Sequence, residues 1–197
     1  MTLFIENIVT KKENYPYFFV RKDGGKMDYS VQNSLNRAAG QNFENIIADA
    51  LEYYESKGFC SIQKTPEPMK TLKQNSDKKT FIAVYTEKAQ PDYKGVLLGG
   101  QTIIFDAKYT STEKIMQSAV TKKQEEIFEK YQKLGAQCFV MVSMSGTDFY
   151  RIPWDNWKGM KESYGHKYMT KKESEKFRIK MKQVLLLLEG IELNEYS

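Results

Sequence analysis

Asp92, Asp106 and Lys108 are the side chains of this sequence on which chemistry is most readily built. Asp106 and Lys108 lie two residues apart, and alternate residues of a strand share a face, so in an extended segment the acid and the amine stand side by side. Asp92 precedes Asp106 by 14 residues, and Gly99-Gly100 between them is a tight-turn signal. A hairpin turning there brings Asp92, near the start of the first strand, to the pair on the second. Two carboxylates offer hard oxygens to a divalent ion such as Mg²⁺, which keeps several of its waters. Such an ion lowers the pKa of a bound water and clamps phosphoryl oxygens. A lysine beside it can orient the attacking water and neutralise the growing charge. Hydrolysis of a phosphodiester needs this combination. The backbone carbonyl of Ala107 is a candidate further ligand. Glu44 is another if its helix packs near the hairpin, and Gln124 is a candidate contact to the attacking water or the scissile phosphate. Each has a plainer reading beside it: Asp-x-Lys occurs by chance in most proteins, and Glu44 and Gln124 suit the edge of a helix.

The elements that must position these residues follow from the hydrophobic period. A helix is predicted over about residues 35–57, with Phe43, Ile46, Ile47, Ala50, Leu51 and Tyr54 on one face and Gly58 as its stop. Glu44 lies at the margin of that stripe. A short strand over 59–64 ends at Thr65-Pro66-Glu67-Pro68, which cannot continue a central strand. Residues 69–80 are polar and rich in lysine (Lys70, Lys73, Lys78, Lys79) and read as an exposed excursion, followed by an apolar strand over 81–85. Pro91-Asp92-Tyr93-Lys94-Gly95 enters the hairpin. Its second strand runs from residue 101 to about 109, with Gln101, Ile103, Phe105 and Ala107 on one face and Thr102, Ile104, Asp106 and Lys108 on the other. A second helix is predicted over about 112–134, its stripe holding Met116, Val120, Ile127, Phe128, Tyr131 and Leu134, with Gln124 inside that stripe and Gly135 at its end. The continuous apolar run 138–142 marks a strand covered on both faces, and 150–153 gives a further short segment. A last helix begins at Thr170, which forms a capping box with Glu173. Phe177, Met181, Val184, Leu185 and Leu188 are its expected buried face, and Gly190 closes it. Residues 1–35 show no clean period and mix basic with aromatic residues, as a partly flexible basic arm would. The order of elements over 36–197 predicts an α/β domain, a central mixed sheet flanked by helices, with the excursion at about 66–80 protruding as a stalk.

Composition narrows the chemistry. The chain has 197 residues, enough for one domain, with 30 Lys and Arg against 25 Asp and Glu. That mild basic excess suits a polyanionic partner without demanding one. The single histidine, His166, argues against His-based metal sites and Ser/His/Asp triads, which leaves carboxylates, lysines and hydroxyls. Cys60 and Cys138 have no metal-ligand spacing and suggest no disulfide framework, so a reducing, cytoplasmic compartment is expected. The longest apolar stretch is too short to span a membrane, and no signal-peptide core opens the sequence.

Pro91-Asp92 followed by Asp106-Ala107-Lys108 resembles the PD-(D/E)xK motif of restriction-endonuclease-like nucleases. Several further blocks resemble RecU-type Holliday-junction resolvases, in matching order over roughly residues 36–170: Asn36-Arg37, then Glu44; Lys64-Thr65-Pro66-Glu67-Pro68; Asp92-Tyr93-Lys94-Gly95-Val96; Phe105-Asp106-Ala107-Lys108-Tyr109-Thr110; and Gly165-His166-Lys167. This resemblance implies the restriction-endonuclease-like fold, a homodimer, and symmetric nicking of a four-way DNA junction with Mg²⁺ or Mn²⁺. It implies that Asp92 and Asp106 bind the metal, that Lys108 assists the nucleophile, and that Glu44 completes an acidic cluster. It further implies that Arg37 and the N-terminal arm contact DNA, that Lys64 and Lys167 lie in matching blocks on the DNA side, and that the stalk carrying Lys70, Lys73, Lys78 and Lys79 inserts at the junction centre. Gln124 matches a glutamine in the corresponding helix. Several features depart from the pattern, the short C-terminus among them. Asp106 stands where the family usually has Glu, a Ser/Thr-rich stretch before the first acid is missing, and lysines (Lys122, Lys123) replace the histidine usual before the glutamine. Such variation suits a phage-encoded member. Another endonuclease of the same superfamily, of restriction or repair type, and a non-catalytic DNA-binding protein are the competing readings. The stalk favours the resolvase over the first, and retention of both acids and the lysine favours it over the second.

Overall fold

The computed structural model describes residues 2–3, 29–66, 69–74, 81–85 and 90–194. A short strand β1 (Thr2–Leu3) precedes helix α1 (Tyr29–Ser56), which begins ahead of the apolar stripe that predicts it. Five strands then run in order to the middle of the chain: β2 (Cys60–Lys64), β3 (Met69–Gln74), β4 (Phe81–Tyr85), β5 (Tyr93–Leu97) and β6 (Thr102–Thr110). After a short strand β7 (Lys114–Met116) come α2 (Lys122–Lys133), β8 (Gln137–Met144) and β9 (Asp148–Pro153). The remainder holds α3 (Trp154–Lys158), α4 (Met160–Tyr164), β10 (Tyr168–Thr170), α5 (Lys171–Ser174), β11 (Arg178–Ile179) and β12 (Leu193–Asn194). Six strands form the central sheet in the order β11-β9-β8-β6-β5-β2. Only β6 and β8 are parallel there, so the sheet is mixed. β1 pairs antiparallel with β12.

Alternation along β6 divides the molecule into two cores. Ile103 and Phe105 face α1, where Phe43, Ile47, Ala50, Leu51 and Tyr54 cover them. Ile104 faces the other way, into a cluster with Phe128 of α2 and the buried rings of Trp154 and Trp157. The α1 face carries a ladder of rings across three neighbouring strands. Tyr93 stacks on Phe105 at 4.7 Å and Phe105 on Phe139 at 4.9 Å, all nearly parallel. These three residues are also register partners, Tyr93 opposite Phe105 and Phe105 opposite Phe139. Stacked rings are worth about 0.5–1.5 kcal/mol per pair beyond their burial, and a slip by one residue would turn each ring to the wrong face.

Two glycine positions make the β5–β6 hairpin possible. Gly99 and Gly100 have φ of 89° and 81°, a conformation open to glycine at little cost, and they turn the chain so that Leu97 N–H donates to the Gln101 carbonyl at 2.9 Å. Gly95, in mid-strand, lies under β2 so closely that a Cβ there would collide with the Ser61 carbonyl and the Ile62 backbone.

Three expectations from sequence need correction. The helix expected over 112–134 starts only at Lys122. Before it come β7, which pairs with β10, and a single 3-10 turn over Gln117–Ala119. Thr121 caps α2, which breaks the apparent continuity of the stripe, and Met116 and Leu134 are exposed. The last helix is a single turn, α5. Its capping box of Thr170 and Glu173 is present, but the chain then forms β11 at the sheet edge and an irregular segment. The reason lies in Leu185, Leu186, Leu187 and Leu188, all four of which are buried. A helix lying on the surface would turn at least one of four consecutive residues to water. Finally, the excursion is ordered differently: β3 and β4 pair with each other, with an irregularity between Thr71 and Lys73, and form a two-stranded sheet separate from the central one. The predicted strand over 81–85 thus pairs with β3 and not with the central sheet. Residues 75–80, with Lys78 and Lys79, lie outside the described residues.

Gly95→Ala should separate β2 from β5. We expect destabilisation of about 1–3 kcal/mol, the usual cost of overpacking, or outright failure to fold, measured by urea denaturation. An unchanged midpoint would show that β2 does not press on Gly95.

Candidate active site

The ladder that aligns Tyr93 with Phe105 dictates what stands next to it. One residue back along β5 is Asp92 and one residue on along β6 is Asp106, so the acids face each other across the pair, on the sheet face opposite the rings. The backbone ties them reciprocally. Asp92 N–H donates to Asp106 Oδ1 (3.3 Å), and Ala107 N–H donates to Asp92 Oδ2 (2.9 Å). The end of β2 holds Asp92 from the other side, as Thr65 N–H donates to its carbonyl at 2.7 Å. Asp92 is half-buried and Asp106 has no exposure.

Two further groups reach Asp106. Gln124 Nε2, from the first turn of α2, donates to Oδ1 at 2.6 Å, and Lys108 Nζ sits 2.6 Å from Oδ2. Oδ2 meets that ammonium yet receives no well-aligned hydrogen bond, and it is shielded from solvent. Burial, first, and the neighbouring Asp92 charge, second, push the Asp106 carboxyl up to about 7, against the pull of Lys108. The Tyr93 hydroxyl is pushed up as well, by burial and then by the charges of Glu44, Asp92 and Asp106. The site is therefore short of positive charge. Two facing carboxylates, one with an oxygen lacking an aligned donor, fit a hard divalent cation that takes one or two carboxylates and retains waters. The Ala107 carbonyl lies in the same strand segment.

The other residues singled out by sequence divide. Glu44, on α1, is engaged by Lys64 Nζ at 2.6 Å, and its charge acts on the same Tyr93 hydroxyl as those of Asp92 and Asp106. Among the described residues no three His, Cys, Asp or Glu side chains form a group able to share an ion. Arg37 lines an open cleft of about 520 Å³ with Asn36, Tyr109, Thr110 and Ser111, just beyond Lys108 along β6. Lys167 is exposed beside His166, whose ring stacks on Tyr168 and lies 3.3 Å from Glu173. Of the excursion lysines, Lys70 and Lys73 fall on β3. Sequence reasoning missed two groups: the Gln90 carbonyl, which accepts from Gln124 Nε2 at 3.3 Å, and Thr121, whose side chain and N–H close a capping box with Gln124. The spacing Thr121-x-x-Gln124 carried that signal, hidden by a helix expected to start earlier.

A mixed sheet flanked by helices, with a Pro-Asp at one strand and an Asp-x-Lys facing it on the next, defines a protein of the restriction-endonuclease-like fold class. The model of the family Recombination protein U (RecU) matches residues 38–192, and the chain belongs to that family. A protein named Holliday junction resolvase RecU from Streptococcus gordonii is 30% identical over 147 residues, covering 71% of this chain and 72% of the relative. One of the same name from Ligilactobacillus salivarius is 24% identical, covering 70% and 67%. Among solved structures, the Archaeoglobus fulgidus Hjc, described as a Holliday junction resolvase, superposes with a TM-score of 0.37 at 12% identity, covering 59% of this chain and 73% of that one.

The raised Asp106 pKa has a signature in stability. Between the ordinary carboxylate range and about 7 the folded chain holds a proton that the unfolded chain has released, so metal-free stability falls as pH rises through that window. Asp106→Asn removes this slope. Urea denaturation in chelator should show wild type losing on the order of 2 kcal/mol relative to the variant between pH 5 and pH 8. Parallel pH profiles would mean that Asp106 titrates normally.

Proposed function

We propose that this protein is a Holliday junction resolvase, an endodeoxyribonuclease that works as a homodimer with Mg²⁺, or Mn²⁺ in its place, and nicks two strands of a four-way DNA junction symmetrically. The observation that carries the reading is the convergence of Asp92, Asp106, Lys108 and Gln124 in one niche of a chain from the RecU family. Relatives named Holliday junction resolvase support the junction as substrate.

The residues have separable tasks. Asp92 and Asp106, with the Ala107 carbonyl, would hold the ion. When bound, it supplies a water of lowered pKa and positive charge against the phosphoryl oxygens. Asp92 and Asp106 are kept in place by the reciprocal backbone bonds, so little reorganisation accompanies binding. Lys108, whose ammonium lies on Asp106 Oδ2, keeps a positive charge beside the carboxylates. It turns toward the attacking water or the phosphate once Asp106 is neutralised from elsewhere. Gln124 keeps the Asp106 carboxylate oriented from α2. Arg37, in the cleft beyond Lys108, grips the flanking sugar-phosphate backbone, and Lys167 adds positive charge on the same DNA. Lys64, at the end of β2, neutralises Glu44 and so removes a repulsive charge from the path of the DNA. Backbone contacts and the geometry of the dimer, rather than base readout, select the junction, and paired nicks need two sites related by a twofold axis. The β3–β4 hairpin, with Lys70 and Lys73 on its first strand and Lys78 and Lys79 following in sequence, is the stalk that enters the junction centre. No helix among the described residues is long and apolar enough to cross a membrane. The two buried free cysteines suit a bacterial cytoplasm, or that of the host for a phage-encoded protein.

The test is incubation of pure protein and Mg²⁺ with labelled four-way junction, Y-fork, duplex and single strand. Paired symmetric nicks in the junction alone are expected, and duplex cutting of equal rate would point to a restriction or repair nuclease. Asp106→Asn should lower cleavage by at least about 10²-fold, the scale for removing one charge-stabilising group, while junction affinity in chelator stays close to wild type. Neutralising Lys70, Lys73, Lys78 and Lys79 together should weaken junction binding. Its salt dependence should flatten by about 0.9 in log-log slope for each phosphate no longer neutralised. An unchanged slope would remove the stalk from the interface.

A further inference from the structure

We propose that Thr121 is a positioning residue for strand cleavage, because it fixes which end of the Gln124 amide faces Asp106. The inference rests on the resolvase reading of the site and extends it to a residue that does not touch the acids. Gln124 serves two structures at once. Its Oε1 accepts from Thr121 N–H at 2.9 Å and from the Thr121 hydroxyl at 3.1 Å. Its Nε2 donates to Asp106 Oδ1 at 2.6 Å and to the Gln90 carbonyl at 3.3 Å. Three of the four partners, the Thr121 N–H, Asp106 Oδ1 and the Gln90 carbonyl, allow only this orientation. A flipped amide would set its oxygen against a carboxylate and a carbonyl, and its NH₂ against a backbone N–H. Asp106 Oδ1 is an acceptor here on independent grounds, since Asp92 N–H also donates to it. The amide is nearly fully buried, so no water can replace a missing partner cheaply.

An ordinary capping box ties only a helix end. In this one the residue at the third helical position is also a hand on the catalytic strand. Reorientation of the α2 N-terminus is thereby coupled to the Asp106 carboxylate, as outer hydrogen bonds orient metal-binding carboxylates generally. The Thr121 hydroxyl both donates to Oε1 and accepts from Gln124 N–H at 3.3 Å, and these two roles can be separated. Thr121→Ser keeps both. Thr121→Asp keeps the capping acceptor, and Asp caps helices at least as well as Thr, but its carboxylate offers no donor and attracts the NH₂ end of Gln124.

The experiment is a pair of measurements on wild type, Thr121→Ser and Thr121→Asp. In metal-free protein with ¹⁵N-labelled glutamine, the Gln124 side-chain NH₂ signals, identified by their disappearance in Gln124→Glu, should be shifted downfield and slow to exchange. Thr121→Ser should preserve them and Thr121→Asp should abolish both properties. Junction cleavage at saturating Mg²⁺ should fall about 10-fold in Thr121→Asp, as for removal of an outer-shell partner. It should recover in Thr121→Ser, with the melting temperature and the junction affinity in chelator held in both. Wild-type amide signals in Thr121→Asp, or an equal fall in cleavage in both variants, or a fall confined to junction affinity, would overturn the assignment. If wild type cuts no DNA at all, the resolvase reading fails, while the amide signals still report on Thr121.

Discussion

A reciprocal backbone clasp holds this structure's site together. Asp92 gives its N–H to the carboxylate of Asp106, and the next N–H along, that of Ala107, returns to the carboxylate of Asp92. The clasp exists only if β5 and β6 pair in one register, and that register is set on the other side of the sheet by the stacked rings of Tyr93, Phe105 and Phe139. Hydrophobic packing against α1 therefore decides the geometry of two acids that touch none of it. Gly95, Gly99 and Gly100 permit the same arrangement, two by turning the chain and one by making room for β2.

The arrangement is electrostatically costly in isolation. Asp106 is fully buried, faces a second carboxylate and resists ionisation for both reasons. Lys108 and Gln124 offset part of that cost, from β6 and α2 respectively. An under-neutralised pair of acids is a poor design for stability and a good one for capturing a divalent cation, the usual exchange at functional sites. The α2 N-terminus belongs to the same unit, since its first turn carries the amide that meets Asp106.

Period and spacing made much of this legible. The alternation that set Asp106 and Lys108 together on the face away from Phe105 is the one observed, and the apolar stripe of α1, the turn at Gly99-Gly100 and the Thr170–Glu173 box follow directly from local chemistry. Non-local effects were hidden. Nothing local says that Lys114–Met116 will leave a helical stripe to pair with Tyr168–Thr170, or that Leu185 to Leu188 will all be swallowed by the core. Glu44 was expected beside the acids because it shares a motif order with them. Sequence order does not reveal that Lys64 takes the Glu44 carboxylate. Thr121 escaped notice for the opposite reason: its spacing to Gln124 was visible, but only the true start of α2 gives it meaning.

The central claim is that Asp92 and Asp106 together form the seat of a divalent ion. Crystals grown with Mn²⁺ and measured at a wavelength where manganese scatters anomalously locate such an ion without any assay of activity. The account predicts one strong anomalous peak between the two carboxylates, with the Lys108 ammonium displaced from Asp106. Manganese bound elsewhere, with the Asp92 and Asp106 side chains unmoved and nothing between them, would contradict it.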